Sequence, residues 1–516
     1  MPFLVWFLPL DKSMGSEAGF TVPRLLPSGF PRRVPLEGAD RTRLLQKTDR
    51  SSWRLGGICF LYLGLTAIYC LFTPAWEAND ELDHLANVEY VLQFQRLIPL
   101  RTEPWHETHQ PPLYYLVCAG WQRLLGIPAF EPVELDGVQG LLTKRNPRLF
   151  YAHNYFPKEL DAAVALHQIR LISVLLGLGT VLCTYIAGVL AFGQKEVGLS
   201  AAAFVAVLPK FNVISAAVTN DSLVIMLCSL ILVLTLLLYN KTTTAGLLRS
   251  TMLICLGATA GAAVIAKLNS LPFLCFVLVS VLVLSPRRKL TFKMGEASLI
   301  LLGFIGTSGW WILRNYLAEG TLLGQRDSLD WLHHALPRLI RVVPWTDAER
   351  FLRFVPMQLF ESSWYRGGWN QFVLPTWMNL VLALAAGLSL LGVVCACFYG
   401  SRWIKKLDRT VLLLGGCCAM GVVAVLIIAR TTTQAEGRIA YVGLPAFALL
   451  VTVGAVEVSR FIGKQKTKSL SHQPCGCGAD PSQENLPAVA LLTWPTLLLA
   501  TNIYAILRFV IPFAGL

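Results

Sequence analysis

The chain is cut into apolar stretches about as long as a bilayer is thick, separated by polar breaks, and this restricts the fold more than any motif does. The runs are Gly56 to Thr73, Gln168 to Phe192, Leu199 to Val218, Leu223 to Tyr239, Leu247 to Ala266, Leu271 to Leu284, Ala297 to Ile312, Trp377 to Phe398, Val411 to Ala429, Ile439 to Val456 and Ala488 to Val510. In lipid the backbone has no water to bond with, and a helix is the element that satisfies it within one segment. The expectation is an all-α polytopic membrane protein of about eleven transmembrane helices. Composition agrees, with 54% hydrophobic and 15% charged residues in 516. Leu271 to Leu284 is short for a span, and Leu199 to Val218 carries Pro209.

The formal charge of +13 does not point to nucleic acid, because the basic residues sit in short clusters between apolar runs, where they set topology. Counting from a cytoplasmic amino terminus, the inside loops include Pro286-Arg287-Arg288-Lys289, Ser401 to Lys406 and Arg460 to Lys468, all basic. Residues 1–54 read as a cytoplasmic, disordered tail ahead of one membrane domain, 55–516. Met1 to Leu10 lacks the basic and cleavage regions of a signal peptide, and Met14 is an alternative start. Most of the cysteines lie in apolar runs as small hydrophobes. Cys475-Gly476-Cys477, in a polar loop, has the softness for a metal but no second pair.

This topology puts two long segments outside, 74–167 and 317–376, and the unusual polar residues gather on that side: Asp80, Glu81, His84, Asn220, Asp221, Lys267, Arg314 and Arg438. Ionisable groups near hydrocarbon are costly and mark functional sites. The first external loop opens with Glu77, Asp80, Glu81, Asp83 and His84, then turns helical with Leu82, Leu85, Val88 and Leu92 along one stripe. Asn79 is suited to cap this helix, which otherwise reads as interfacial and amphipathic. A carboxylate there can take a proton from a hydroxyl, and a second acid can orient it. Further on, His109-Gln110-Pro111-Pro112-Leu113-Tyr114-Tyr115 leads into a short aromatic helix, in which Tyr114, Tyr115 and Trp121 read as interfacial anchors.

An acidic pair just after the first span, followed by the His-x-Pro-Pro-Leu-Tyr-Tyr string, resembles the GT-C superfamily of membrane glycosyltransferases, especially protein O-mannosyltransferases, aminoarabinose transferases and bacterial relatives of unassigned substrate. Four further stretches carry the resemblance in order: Leu208-Pro209-Lys210 through Asn220-Asp221-Ser222, Ala266-Lys267-Leu268-Asn269, Trp310-Trp311-Ile312-Leu313-Arg314-Asn315, and Gly437-Arg438-Ile439-Ala440-Tyr441. The chain departs from the pattern at Ala440 and by a longer insertion, Pro128 to Asp161.

The resemblance implies a GT-C-like bundle with a large first external loop carrying amphipathic helices. It further implies an enzyme of the plasma (inner) membrane that moves a sugar from a polyprenyl-phosphate donor to an acceptor, a lipid, glycan or protein, on the extracytoplasmic face. Asp80 matches the family's catalytic acid. On this basis the expected mechanism is an inverting displacement with Asp80 as base and Glu81 and His84 orienting. His109, Asn220 and Asp221 would bind substrate, and Lys267, Arg314 and Arg438 would stabilise the departing phosphate. Trp364, within Glu361 to Asn370, offers a face for sugar stacking or an interface belt. No cofactor is expected; a divalent ion on Asp80, Glu81 and Asp221 lacks tight ligand spacing. The rivals are a polysaccharide polymerase or ligase using lipid-linked glycan, and a non-catalytic transporter or flippase, which should show paired halves.

Overall fold

The computed structural model describes residues 38–73, 78, 80–99, 109–129, 160–240, 246–284, 289–324, 348–367, 372–400, 409–431, 435–470 and 487–513. Most of the amino-terminal tail, Glu77, Asn79, most of the Pro128 to Asp161 insertion, residues 286–288 and 401–408, and Cys475-Gly476-Cys477 lie outside the described residues. The chain divides into two units, Met1–Arg50 and Ser51–Leu516. In the first, residues 38–50 are helical.

Among the described residues the second unit is helical apart from one short hairpin. Its elements are α1 (Ser51–Phe72), α2 (Glu81–Phe94), α3 (Leu113–Leu124), α4 (Leu160–Phe192), α5 (Lys195–Ala206), α6 (Pro209–Ser215), α7 (Asp221–Asn240) and α8 (Leu247–Ala266). There follow α9 (Pro272–Leu284), α10 (Leu290–Glu319), α11 (Ala348–Trp364), β1 (Arg366–Gly367), β2 (Phe372–Val373), α12 (Thr376–Tyr399), α13 (Arg409–Thr431), α14 (Leu444–Leu470) and α15 (Ala488–Ala505). The strands pair antiparallel, Arg366 opposite Val373.

Among the described residues nine helices are long and apolar enough to cross a membrane, or ten if the bent pair α5 and α6 is one span. The all-α polytopic class expected from sequence therefore holds, and of the eleven expected runs nine are long, apolar helices among the described residues. Leu268–Leu282 falls among the shorter apolar helices, and Leu199 to Val218 is not a straight span. Its break is local chemistry. Proline pushes the preceding residue out of the helical region, so Leu208 takes φ −71 and ψ 116, and Pro209 opens α6 at an angle of 66° to α5.

A break leaves carbonyls unpaired, which is costly away from water. Here Asn502 Nδ2 donates to the Val207 carbonyl at 2.9 Å and to Asn212 Oδ1 at 2.6 Å, and Asn212 Nδ2 donates to the Ala206 carbonyl at 3.1 Å. Tyr69 of α1 completes the network by donating to Asn502 Oδ1 at 3.0 Å. Two distant helices, α1 and α15, thus stabilise the break together with Asn212 of α6 itself. Elsewhere the bundle uses small residues for close approach: a Cβ on Gly257 of α8 would overlap the Ile300 carbonyl, and one on Gly303 of α10 the Ile254 carbonyl.

Candidate active site

Asp80 occupies the N-cap position of α2 with a left-handed backbone, φ 61 and ψ 7, and its side chain makes no capping hydrogen bond. The helix is entered through Asp80, and its carboxylate turns elsewhere: Oδ2 accepts from Arg438 Nη2 at 2.7 Å. Aspartate tolerates this backbone region better than most residues, yet it is uncommon outside glycine and concentrates at functional positions.

Arg438 lies on the short turn Gly437–Ala440 ahead of α14 and meets two more acids. Its Nε donates to Glu436 Oε2 at 2.7 Å, and Nη1 stands 3.5 Å from Asp221 Oδ2. Asp221, fully buried at the start of α7, accepts from Lys267 Nζ at 2.7 Å through its other oxygen. Asp80, Asp221, Lys267 and Arg438, read as separate polar anomalies in the sequence, therefore form one ionic cluster, with Glu436 added by the structure.

Glu81 and His84 are placed beside this cluster with different tasks. Both Glu81 oxygens face Arg170, whose Nη2 and Nε donate at 2.6 and 2.8 Å, and Glu81 Oε1 also accepts the Val218 N–H at 2.9 Å. Arg170 in turn holds the Cys70 and Thr73 carbonyls at the end of α1 at 3.0 and 2.6 Å. With both partners at 0% exposure, Glu81 joins α1, α2, α4 and the α6–α7 connection, and both of its oxygens accept from protein donors. His84 is buried, its Nδ1 2.8 Å from the Tyr115 hydroxyl.

The tyrosine string is corrected from interfacial anchor to core. Tyr114 and Tyr115 are buried, and the Tyr114 hydroxyl lies 2.8 Å from Ser173 Oγ and accepts the Thr219 N–H at 3.0 Å. Burial pushes the Tyr114 phenol well above its usual range, so it stays a neutral partner for both. Trp121 remains half-buried and donates to the Gln168 carbonyl at 3.1 Å. His109 is half-buried, 3.4 Å from Gln110 Nε2, and Gln110 Oε1 accepts from Asn220 Nδ2 at 3.0 Å.

Two expectations are overturned by packing. Arg314 donates to the Ile98 carbonyl beyond α2 and lies outside the ionic cluster. Trp364 is 3% exposed and stacks on Trp494 with ring centroids 5.7 Å apart and planes at 10°, so its face is covered by protein and is not open to a sugar.

Asp221 and Arg438 of the ionic cluster line a cleft. Thr219, Asp221, Arg438, Lys210 and Arg366 form its polar part, and Tyr69, Phe72, Val213, Phe509 and Val510 its apolar part. Lys210 and Arg366 were not singled out from sequence. Lys210, 3% exposed, donates through Nζ to the Arg366 carbonyl at 2.7 Å. Among the described residues neither side chain is in an ion pair, and Arg366 Nε is buried without a partner. Buried cations without a carboxylate are costly and favour an anion in the adjoining space. The signal in the sequence was a lysine directly after a helix-breaking proline. The wall beside them is aromatic, Phe509 lying between Tyr365 and Phe372 on a single π-helical turn, Ile506–Val510.

The sequence profile of the family described as dolichyl-phosphate-mannose-protein mannosyltransferase matches residues 162–312, which include Arg170, Lys210, Asp221 and Lys267. Over that segment the chain is similar to that family of membrane glycosyltransferases, in line with the resemblance its motifs carry.

Among solved structures it is similar to ArnT from Cupriavidus metallidurans bound to undecaprenyl phosphate, at 14% identity and TM-score 0.46, over 89% of this chain and 74% of that one. It is similar also to the Archaeoglobus fulgidus oligosaccharyltransferase tethered with an acceptor peptide, at 12% identity and TM-score 0.46, over 90% of this chain. This chain spans 55% of that enzyme's length. The S. cerevisiae protein O-mannosyltransferase Pmt1-Pmt2 complex bound to the sugar donor matches at 16% identity and TM-score 0.37, over 53% of this chain and 34% of that one. No curated protein matches the sequence significantly.

Proposed function

We propose that the protein transfers a sugar from a polyprenyl-phosphate carrier to an acceptor nucleophile in the cleft, with Asp80 as general base and inversion at the anomeric carbon. The supporting observation is the meeting of Asp80 with Arg438 and Asp221 at the edge of a cleft that is polar and cationic at one part and apolar at another. Such a cleft suits an amphiphile with an anionic head.

In this reaction the acceptor O–H proton passes to the Asp80 carboxylate as its oxygen bonds to the anomeric carbon, and the bond from that carbon to the phosphate oxygen breaks with its electron pair. The donor phosphodiester carries one negative charge and the departing carrier monophosphate gains a second. Cations facing that oxygen bind the transition state more strongly than the ground state. Lys210 and Arg366 are suited to this task because no carboxylate holds them. Glu81 and His84 then act as positioning residues behind Asp80, while Asp221, Asn220 and His109 flank the sugar.

The same reading puts the cleft on the extracytoplasmic side of the plasma membrane, with residues 1–54 as the cytoplasmic tail and 74–167 and 317–376 as the external loops. The test is incubation of the purified protein with labelled polyprenyl-phosphate sugars. The expected result is release of carrier phosphate by wild type and its loss in Asp80→Asn; undiminished release by the variant removes Asp80 as the base.

A further inference from the structure

Arg438 presents each of its guanidinium nitrogens to a different carboxylate: Nη2 to Asp80 at 2.7 Å, Nη1 to Asp221 at 3.5 Å and Nε to Glu436 at 2.7 Å. The three acids come from the start of α2, the start of α7 and the turn ahead of α14. Brought together with little water, they repel one another unless a cation stands among them. In many sites that cation is a divalent ion held by oxygen ligands. Here a guanidinium fills the position, and its planar fork sets the direction of each acid as well as neutralising charge.

We infer that Arg438 is the built-in cation of this centre, replacing a divalent ion, and that it serves the proposed transfer by positioning Asp80 and not by gripping the donor phosphate. The inference rests on that functional reading for its catalytic part. A phosphate that took a nitrogen from Arg438 would displace a carboxylate and leave it poorly compensated, a costly exchange. Lys210 and Arg366, on the same cleft and outside any ion pair among the described residues, take an anion without such an exchange. The cations divide accordingly: Arg438 and Lys267 are committed to acids, Lys210 and Arg366 are left for the ligand.

A consequence separates this from a merely structural arginine. Among the described residues no group of acids is spaced to hold a metal ion while Arg438 stands between them; removing the guanidinium while keeping the acids frees hard oxygen donors of the kind Mn2+ and Mg2+ prefer. Mn2+ binding to the purified full chain, followed by electron paramagnetic resonance, reads this without turnover. Wild type is expected to show no bound Mn2+ that Asp80→Asn abolishes. Arg438→Gln is expected to acquire bound Mn2+, and Arg438→Gln with Asp80→Asn to lose it again. A wild-type Mn2+ site dependent on Asp80, or no gain in folded Arg438→Gln, overturns the inference.

Turnover supplies the second readout. Wild type is expected to keep its rate in EDTA, while Arg438→Gln loses about 100-fold in kcat, the scale of a misplaced general base. The donor KM is expected to stay within about three-fold, since uniform substrate binding is not what has been removed. EDTA arrest reversed by Mn2+, or a raised KM at unchanged kcat, overturns the inference. Should Arg438→Gln fail to fold, Arg438→Lys, which keeps the charge but not the fork, is measured for the same split between kcat and KM. Absence of transfer by wild type defeats the functional reading, and the Mn2+ titration still decides whether Arg438 stands in for a metal.

Discussion

Glu81 and Arg170, 89 positions apart, face each other through two hydrogen bonds of 2.6 and 2.8 Å, with neither side chain exposed. Arg170 also caps two carbonyls at the end of α1, and Glu81 takes the Val218 N–H two residues before Asn220. The pair therefore sets where α2 starts and where the connection to Asp221 runs. Breaking a buried pair from one side leaves the other charge uncompensated, at a cost of about 3–5 kcal/mol. Glu81→Gln is expected to lower the melting temperature in detergent strongly, and activity in membranes should fall at least in proportion to the folded fraction. A variant that melts as wild type but has lost kcat would return Glu81 to a chemical role.

Asp80→Asn should behave in the opposite way. Arg438 keeps Glu436 and Asp221 when Asp80 loses its charge, and the helix does not depend on an Asp80 side-chain cap. Asparagine also tolerates the left-handed backbone that Asp80 adopts. Melting is expected within about 1 kcal/mol of wild type, as for substitutions outside the large-effect mechanisms. Transfer is expected to fall by about two to four orders of magnitude, the contribution of a positioned base. Parallel melting curves and carrier-phosphate release check both halves.

Lys210 offers a case where stability and activity should part. Its amine is buried with one carbonyl as its hydrogen-bond partner. Lys210→Met keeps the length and removes a charge that is costly to bury, so melting is expected to be unchanged or higher. Carrier-phosphate release is expected to slow by about 10-fold to 100-fold through loss of leaving-group stabilisation. A lysine that only ties α6 to the hairpin would give the reverse result, lower melting with normal kcat in the folded protein.

The sequence disclosed the ionic cluster because charge near hydrocarbon is rare enough to be noticed one residue at a time. Asp80, Asp221, Lys267 and Arg438 stood out singly, and the fold needed only to bring them together. Arg170 was hidden by its setting in a long apolar run, where only a partner 89 positions away gives it meaning. Glu436 and Lys210 sat beside residues already explained by a motif or a proline. Tyr114 and Trp364 were misread for a related reason. Aromatic residues at an expected boundary look alike whether they meet lipid, sugar or another helix, and the deciding partners, Ser173 and Trp494, are 59 and 130 positions distant (494 − 364). The bend at Leu208 was not legible in the sequence, because whether a proline kinks or breaks a span depends here on whether Asn212 and Asn502 are there to receive the freed carbonyls.

Trp364 separates sugar stacking from core packing most cleanly. One face of its indole lies on Trp494, an edge contact comes from Phe360, and Phe447 packs beside it. Trp364→Ala empties a buried site at the end of α11 and is expected to cost about 3–5 kcal/mol of stability. Trp364→Phe keeps part of the stack and should cost less. In neither variant is the donor KM expected to change in protein that remains folded, because the ring is 3% exposed and has no free face for a pyranose. Donor titration against Trp364→Phe, with Lys210→Met as the comparison that does alter turnover, decides the point: a KM rise confined to the tryptophan variant restores the stacking role, and a melting shift at constant KM keeps the indole in the core.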